Sequence, residues 1–280
     1  KPALFFADTA KTLVIVLILG TPLCAALLGL MAWAGPSWPW YGWGLWLVFN
    51  LLVLWLYPRV IAPIFNTFKP LEDTSLRERI NALAQRCGFQ TNGLYVMDGS
   101  RRSAHGNAYF TGLGRQKRIV FFDTLLNKLQ PEEVEAVLAH ELGHFKHRHI
   151  QRRLLISVVT SLIFFLLAGW AWGKVGFYTG LGVIPQLGRP NDALALILFF
   201  MVVPTFTFWM GPLSALLSRR DEYQADSFAA QHSQAQDLIS ALLKLYNDNA
   251  ATLTPDPMHS AFYDSHPNAI DRIRHLKSLA

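Results

Sequence analysis

The sequence predicts a mainly α, multi-pass membrane protein that carries an α+β domain with a small sheet. Three observations lead there. Hydrophobic residues make up 52% of the 280 and charged ones only 16%, where a soluble domain carries about 25% charged residues. Four apolar segments are each long enough to cross a bilayer. Lys and Arg are concentrated in the polar segments that four crossings would put on one side.

A transmembrane helix needs roughly 20 mostly apolar residues. Segments 12–33, 40–61, 154–172 and 193–217 meet that length. Pro204 and Pro212 should kink the fourth, with neighbouring helices re-satisfying the freed carbonyls. Trp38, Trp40, Trp43 and Trp172 fall near span ends, where indole rings favour the headgroup region. Four crossings place both termini and both long polar stretches on one face. That face takes 23 of the 25 Lys and Arg, leaving Lys174 and Arg189 opposite. The positive-inside rule then makes it the cytoplasmic, or cytosolic, face. The net charge of +6 is read as a membrane feature; no nucleic-acid motif accompanies it, and no nucleic-acid partner is expected.

The division that follows is a membrane hairpin at 1–61, a first polar half at 62–153, a second hairpin at 154–217 and a second polar half at 218–280. Lys1 opens the chain with no signal peptide and cleavage site in view. Cys24 falls in a span and Cys87 in a polar stretch, so neither a disulfide nor a Cys-x-x-Cys thiolate site is expected.

In the first polar half, Leu76, Ile80, Leu83, Ala84 and Cys87 recur at helical spacing, and Gly88 is a fitting stop. Strands are predicted at 94–97, 107–111 and 118–122, separated by the turn signals DGS and GLG. A helix should open at Pro131, with Glu132 and Glu133 at its positive end, and run through HELGHFKHRHI to Ile150, its continuation into the third span left open. In the second polar half, 218–231 and 235–246 read as helices, 248–267 as a loop, and a last helix opens at Pro267 with Ile270, Ile273 and Leu276 turned inward.

The chemistry is carried by His140-Glu141-Leu142-Gly143-His144. On a helix, positions i and i+4 share a face, so two imidazoles there can bind one Zn²⁺ while Glu141 takes a proton from the attacking water. A metzincin would carry Gly at 147 and His at 150; His147 and Ile150 stand there instead. The third ligand is therefore sought downstream, at Glu222. Asp226, four residues on, is placed to accept a hydrogen bond from a zinc-bound imidazole. His147 and His149 are read as interfacial residues rather than ligands.

Several stretches resemble the type I CAAX prenyl endopeptidases: DGSRRSAHGNAYFTGLG (98–114), KRIVFFDTLL (117–126), HELGHFKHRH (140–149), RRDEYQAD (219–226) and SHPNAIDRI (265–273), with PRVIAPIFNTFKPLE (58–72). Gly106 replaces the family's usual Ser and Asn268 its second Pro. Members of that family usually carry further N-terminal membrane helices that wall a chamber. The resemblance implies an integral-membrane zinc metalloendopeptidase holding one Zn²⁺. Its substrate would be a peptide or protein that is prenylated in the family's case, and its site would face the cytoplasm. It also implies that Asn107, Ala108 and Tyr109 belong to an edge strand that takes substrate. His266 would donate to the oxyanion, and Arg272 would support the site carboxylates.

Two rivals follow from the same residues. A membrane quality-control protease would share the zinc chemistry without a prenyl requirement. An inactive scaffold could keep zinc for structure, although such a site has no need of Glu141. A transporter fits poorly, because the spans carry almost no ionisable residues.

Overall fold

Glycine and proline decide where many of the helices begin and end in the computed structural model, which describes residues 2–111, 117–186, 188, 190–248 and 255–279. In chain order, α1 (Pro2–Ala34), α2 (Trp38–Leu56) and α3 (Ala62–Phe65) precede β1 (Phe68–Pro70) and α4 (Thr74–Arg86). Strands β2 (Thr91–Met97), β3 (Ala108–Thr111) and β4 (Lys117–Phe122) lead to α5 (Asp123–Leu126), α6 (Pro131–Lys146) and α7 (His149–Trp172). There follow α8 (Val175–Gly180), α9 (Asp192–Thr207), α10 (Met210–His232), α11 (Ala235–Asp248), α12 (Pro257–Tyr263) and α13 (Ala269–Leu279). The chain divides into two compact units, Lys1–Phe65 with Arg152–Phe208, and Asn66–Gln151 with Trp209–Ala280.

The first unit is apolar and helical. Gly35, at φ 50°, closes α1 in the left-handed region, and Pro39 opens α2 within its first turn; this is the usual C-terminal Gly and N-terminal Pro asymmetry. The two helices double back on each other. A Cβ on Gly42 would lie 3.0 Å from the Leu27 side chain, and Lys11 Nζ at the far end donates to the Ile64 carbonyl at 3.0 Å. Beyond Leu56 the backbone loosens into a π-turn over Tyr57–Ile61, where Pro58 supplies no N–H to the helical ladder. Gly169 of α7 lets Pro39 nest against it: a Cβ there would collide with the proline ring. Small residues at such crossings are how helices approach closely without a hydrophobic driving force between them.

Among the described residues, two helical stretches, Pro2–Phe65 and His149–Trp172, are long and apolar enough to cross a membrane; Asp192–Thr207 and Met210–His232 together make a third candidate. The expected single span over 193–217 is interrupted: α9 runs through Pro204, and the break falls at Phe208–Trp209. Pro212 explains its place. The proline cannot donate to the Phe208 carbonyl and its ring would clash with that group, whereas in the first turn of α10 it is tolerated.

The second unit holds a four-stranded sheet in the order β1-β2-β4-β3, with β2 and β4 parallel and both edges antiparallel. β1, with the sequence FKP, was not expected from the sequence; at the edge its Pro70 disturbs no inner ladder. The GLG turn predicted at 112–114 lies outside the described residues. Against the sheet packs a core that includes Ile80, Leu83, Ile119, Phe121, Leu138 and Leu276. Gly88, at φ 76°, ends the α4 segment as expected. Asp73 caps α4 by accepting from Leu76 N at 3.0 Å.

α6 begins at Pro131 behind a capping box: Gln130 N donates to Glu133 at 2.7 Å. Glu133 is buried and also accepts from Ser240 and Lys244. The helix does not continue into the third span. It stops at Lys146, and Arg148 takes φ 57° before α7 begins. The stretch expected as a loop over 248–267 contains α12, capped by Asp256, while 249–254 lie outside the described residues. The last helix starts at Ala269 rather than Pro267. Its buried face is Ala269, Arg272 and Leu276 with Ile273 partly covered, and Ile270 is exposed.

One glycine sets how closely the two central helices approach. A Cβ on Gly143 would sit 2.9 Å from Ala225 Cα and 3.1 Å from its carbonyl oxygen. Backbone cannot rotate out of the way. A clash with backbone puts the cost at the upper end of the overpacking range, so Gly143→Ala is expected to lower stability by about 2 kcal/mol net in chemical denaturation. Overpacking costs about 1–3 kcal/mol, against roughly 1 kcal/mol gained in helix propensity. A variant as stable as the parent would mean that α6 and α10 part freely.

Candidate metal centre

α6 and α10 meet at Gly143 and Ala225, and each presents a functional pair at i and i+4 around that point. His140 and His144 come from α6, Glu222 and Asp226 from α10. The Nε2 atoms of His140 and His144 are 3.3 Å apart. Glu222 Oε2 lies 3.4 Å from His140 Nε2, and Oε1 lies 3.4 Å from His144 Nε2. Ligands at about 2.0–2.1 Å around a tetrahedral zinc would be separated by roughly 3.3–3.4 Å, so the triad has the right size. Among the described residues, Glu222 Oε2 is also buried without a hydrogen-bond partner. A buried carboxylate oxygen left in that state is costly, and a cation among the three residues would satisfy it. The donor set fits zinc on both counts.

The surroundings favour a positive charge there. Burial alone would lower the basicity of His140, yet the hydrogen bond to Asp226 and the Glu222 carboxylate facing its Nε2 raise its pKa to about 9. Burial pushes the Asp226 carboxyl up, but the bonds from His140 and Arg272 outweigh it and hold the group at about 2. His140 Nδ1 donates to Asp226 Oδ1 at 2.8 Å. Arg272 grips the same carboxylate at both oxygens, Nε to Oδ2 at 2.9 Å and Nη2 to Oδ1 at 2.5 Å, and approaches Glu222 Oε2 at 3.8 Å. Asp226 and Arg272 are thus an ion pair with almost no exposure to solvent, standing directly behind His140.

Glu141 follows His140 on α6 and is only partly buried. His266 lies at the rim: its Nε2 is 3.5 Å from Glu222 Oε1 and its side chain is 61% exposed. Arg219, which sequence reasoning missed, donates to the Ser260 and Asp264 carbonyls at 2.9 and 2.8 Å. It caps the end of α12 just ahead of Ser265 and His266, while Tyr246 donates to the Pro267 carbonyl from the other side. Asp256-Pro257, a cap followed by a first-turn proline, was the available signal for α12.

Among the described residues, β3 is an edge strand whose one partner is β4. It lies beside the metal helix, since Phe110 packs edge-on against Phe145, the residue after His144, at 4.8 Å. Ala108 is buried and Tyr109 half-buried. Asn107 is exposed just before the strand; its side-chain oxygen accepts from Ala108 N and its carbonyl accepts from Phe122 N.

His149 departs from expectation. Far from being interfacial, it is 1% exposed, with its Nδ1 2.9 Å from His144 Nδ1. His147 is exposed and stacks on it.

Residues 70–280 match the family described as Peptidase family M48, and residues 1–67 match that described as CAAX prenyl protease N-terminal, five membrane helices. The chain belongs to peptidase family M48 and is an integral membrane protein. It is 36% identical to the CAAX prenyl protease 1 homolog of Arabidopsis thaliana and 34% identical to CAAX prenyl protease 1 of Saccharomyces cerevisiae. Those alignments cover 97% and 98% of this chain but only 63% of either relative. The crystal structure of S. mikatae Ste24p superposes with a TM-score of 0.91 at 33% identity, covering 99% of this chain and 67% of that one.

Proposed function

We propose that this chain is an integral-membrane zinc metalloendopeptidase that removes C-terminal peptides from prenylated CAAX-type proteins. The observation that carries this reading is the His140, His144 and Glu222 triad of tetrahedral dimensions with an unpartnered carboxylate oxygen. It is supported by the relatives, which bear the name CAAX prenyl protease. One zinc per chain is held by these three residues, and α1, α2, α7 and α9 with the start of α10 cross the bilayer. The 62–153 and 218–280 halves form the protease domain on the cytoplasmic face, as the Lys and Arg asymmetry supports.

When bound, zinc supplies Lewis-acid polarisation of the scissile carbonyl and lowers the pKa of water to about 7. The chain's own residues do the rest. Asp226 fixes the tautomer and angle of His140 by accepting from Nδ1, and Arg272 keeps Asp226 ionised. Glu141 takes the proton of the attacking water and returns it to the leaving amine. His266 donates a hydrogen bond to the oxyanion that develops. The free edge of β3 pairs with the substrate backbone, with Asn107, Ala108 and Tyr109 lining it.

The test uses purified protein in detergent with a farnesylated CAAX peptide and its unprenylated twin, each with and without a zinc chelator. Cleavage of the prenylated peptide alone, abolished by chelator and restored by zinc, is expected. Equal cleavage of both would overturn the prenyl requirement and leave a quality-control protease. Cleavage that survives complete zinc removal would overturn the metallopeptidase reading.

A further inference from the structure

We propose that His149 is a positioning residue for His144, accepting the hydrogen on its Nδ1 and so fixing the ring's tautomer and angle toward the metal. The inference rests on reading His140, His144 and Glu222 as zinc ligands.

The polarity of the contact follows from the ring that faces the triad. His144 Nε2 points at His140 and Glu222, and a ligating nitrogen presents its lone pair. The hydrogen of neutral His144 therefore sits on Nδ1, 2.9 Å from His149 Nδ1. Two nitrogens at that distance share one hydrogen, so His149 Nδ1 is the acceptor and its own hydrogen lies on Nε2. That atom faces Gln224 Oε1 at 2.9 Å, which accepts, with Asp221 Oδ1 at 3.7 Å beyond it. No donor meets a donor along this chain of contacts. Gln224 lies on α10 between Glu222 and Asp226, so one helix supplies the third ligand, the orienter of His140 and the support behind His149.

The backbone is shaped to bring His149 there. Had α6 run on, His149 would stand roughly 140° round the helix from His144. Instead α6 ends at Lys146, and Arg148 occupies the left-handed region at φ 57°, uncommon for a residue with a Cβ. That turn starts α7 at His149 and returns its ring beneath His144. The two zinc histidines thus receive different partners: an ion-paired carboxylate for His140, and a neutral imidazole for His144.

The test is zinc affinity of the full chain in detergent, measured by chelator competition, beside the absorption spectrum of the cobalt-substituted protein and the stability of the metal-free form. His149→Leu removes the acceptor, and His149→Asn keeps an oxygen near the place of Nδ1. His149→Leu is expected to bind zinc about 10–100-fold more weakly with a shifted cobalt spectrum, and His149→Asn to restore both to within a few-fold of the parent. Parent-like affinity in His149→Leu would overturn the proposal. So would equal weakening in both variants that tracks a loss of metal-free stability, since that marks a merely structural role. A parent chain that binds no zinc would remove the ligand assignment first, and this proposal with it.

Discussion

Glu141→Gln is expected to lower single-turnover peptide hydrolysis by at least about a thousandfold while zinc stoichiometry stays that of the parent. General acid–base catalysis by one positioned group contributes about 10²–10⁴ in rate, and in the proposed mechanism one carboxylate serves twice, as acceptor and then as donor. A thousandfold loss is about 4 kcal/mol of barrier. The amide is isosteric, and Glu141 is outside the cluster of His140, His144 and Glu222 that can hold the metal. Affinity and stability should therefore not move. Activity within tenfold of the parent would remove Glu141 from the proton-transfer role. Loss of zinc along with activity would instead place Glu141 in the metal's coordination or support.

How much of this was legible in the sequence depends on the range of the signal. The two HELGH histidines announce themselves, because i and i+4 on a helix share a face whatever the rest of the fold does. The helices of the first unit are legible for a similar reason: length and apolarity are local properties. Glu222 with Asp226 needed only a second helical pair downstream. The failures are all positional. Ile270 was turned inward as an apolar residue three before Ile273, and the last helix was started two residues early, at Pro267. The helix starts at Ala269, with Asn268 accepting from Asp271 N, and a charged residue, Arg272, takes the inward slot because it is paired with buried Asp226. β1 is three residues long, too short for any period to register. His149 was invisible for a stronger reason. Its contact with His144 exists only because the chain breaks at 147–148, and nothing in HFKHRH marks a left-handed arginine. Reading that helix as continuous points His149 away from the His144 ring it touches.

Arg272→Met is expected to destabilise the protein by about 3–5 kcal/mol in chemical denaturation, the range for removing one partner of a buried ion pair. Arg272 is 6% exposed and Asp226 not at all, so the carboxylate left behind keeps only His140 among its present partners. Lost attraction is the smaller part of this effect; the larger is an anion stranded away from water. The double variant Arg272→Met with Asp226→Asn separates the two roles of the pair. It removes the stranded charge, and most of the lost stability should return. Zinc affinity should not return, because an amide is a weaker acceptor than a carboxylate for the His140 Nδ1 hydrogen, and outer partners of this kind are worth about 10–100-fold in metal binding. Recovery of both quantities together would mean that Asp226 serves the fold alone. Recovery of neither would mean that Arg272 matters through its approach to Glu222 at 3.8 Å rather than through Asp226.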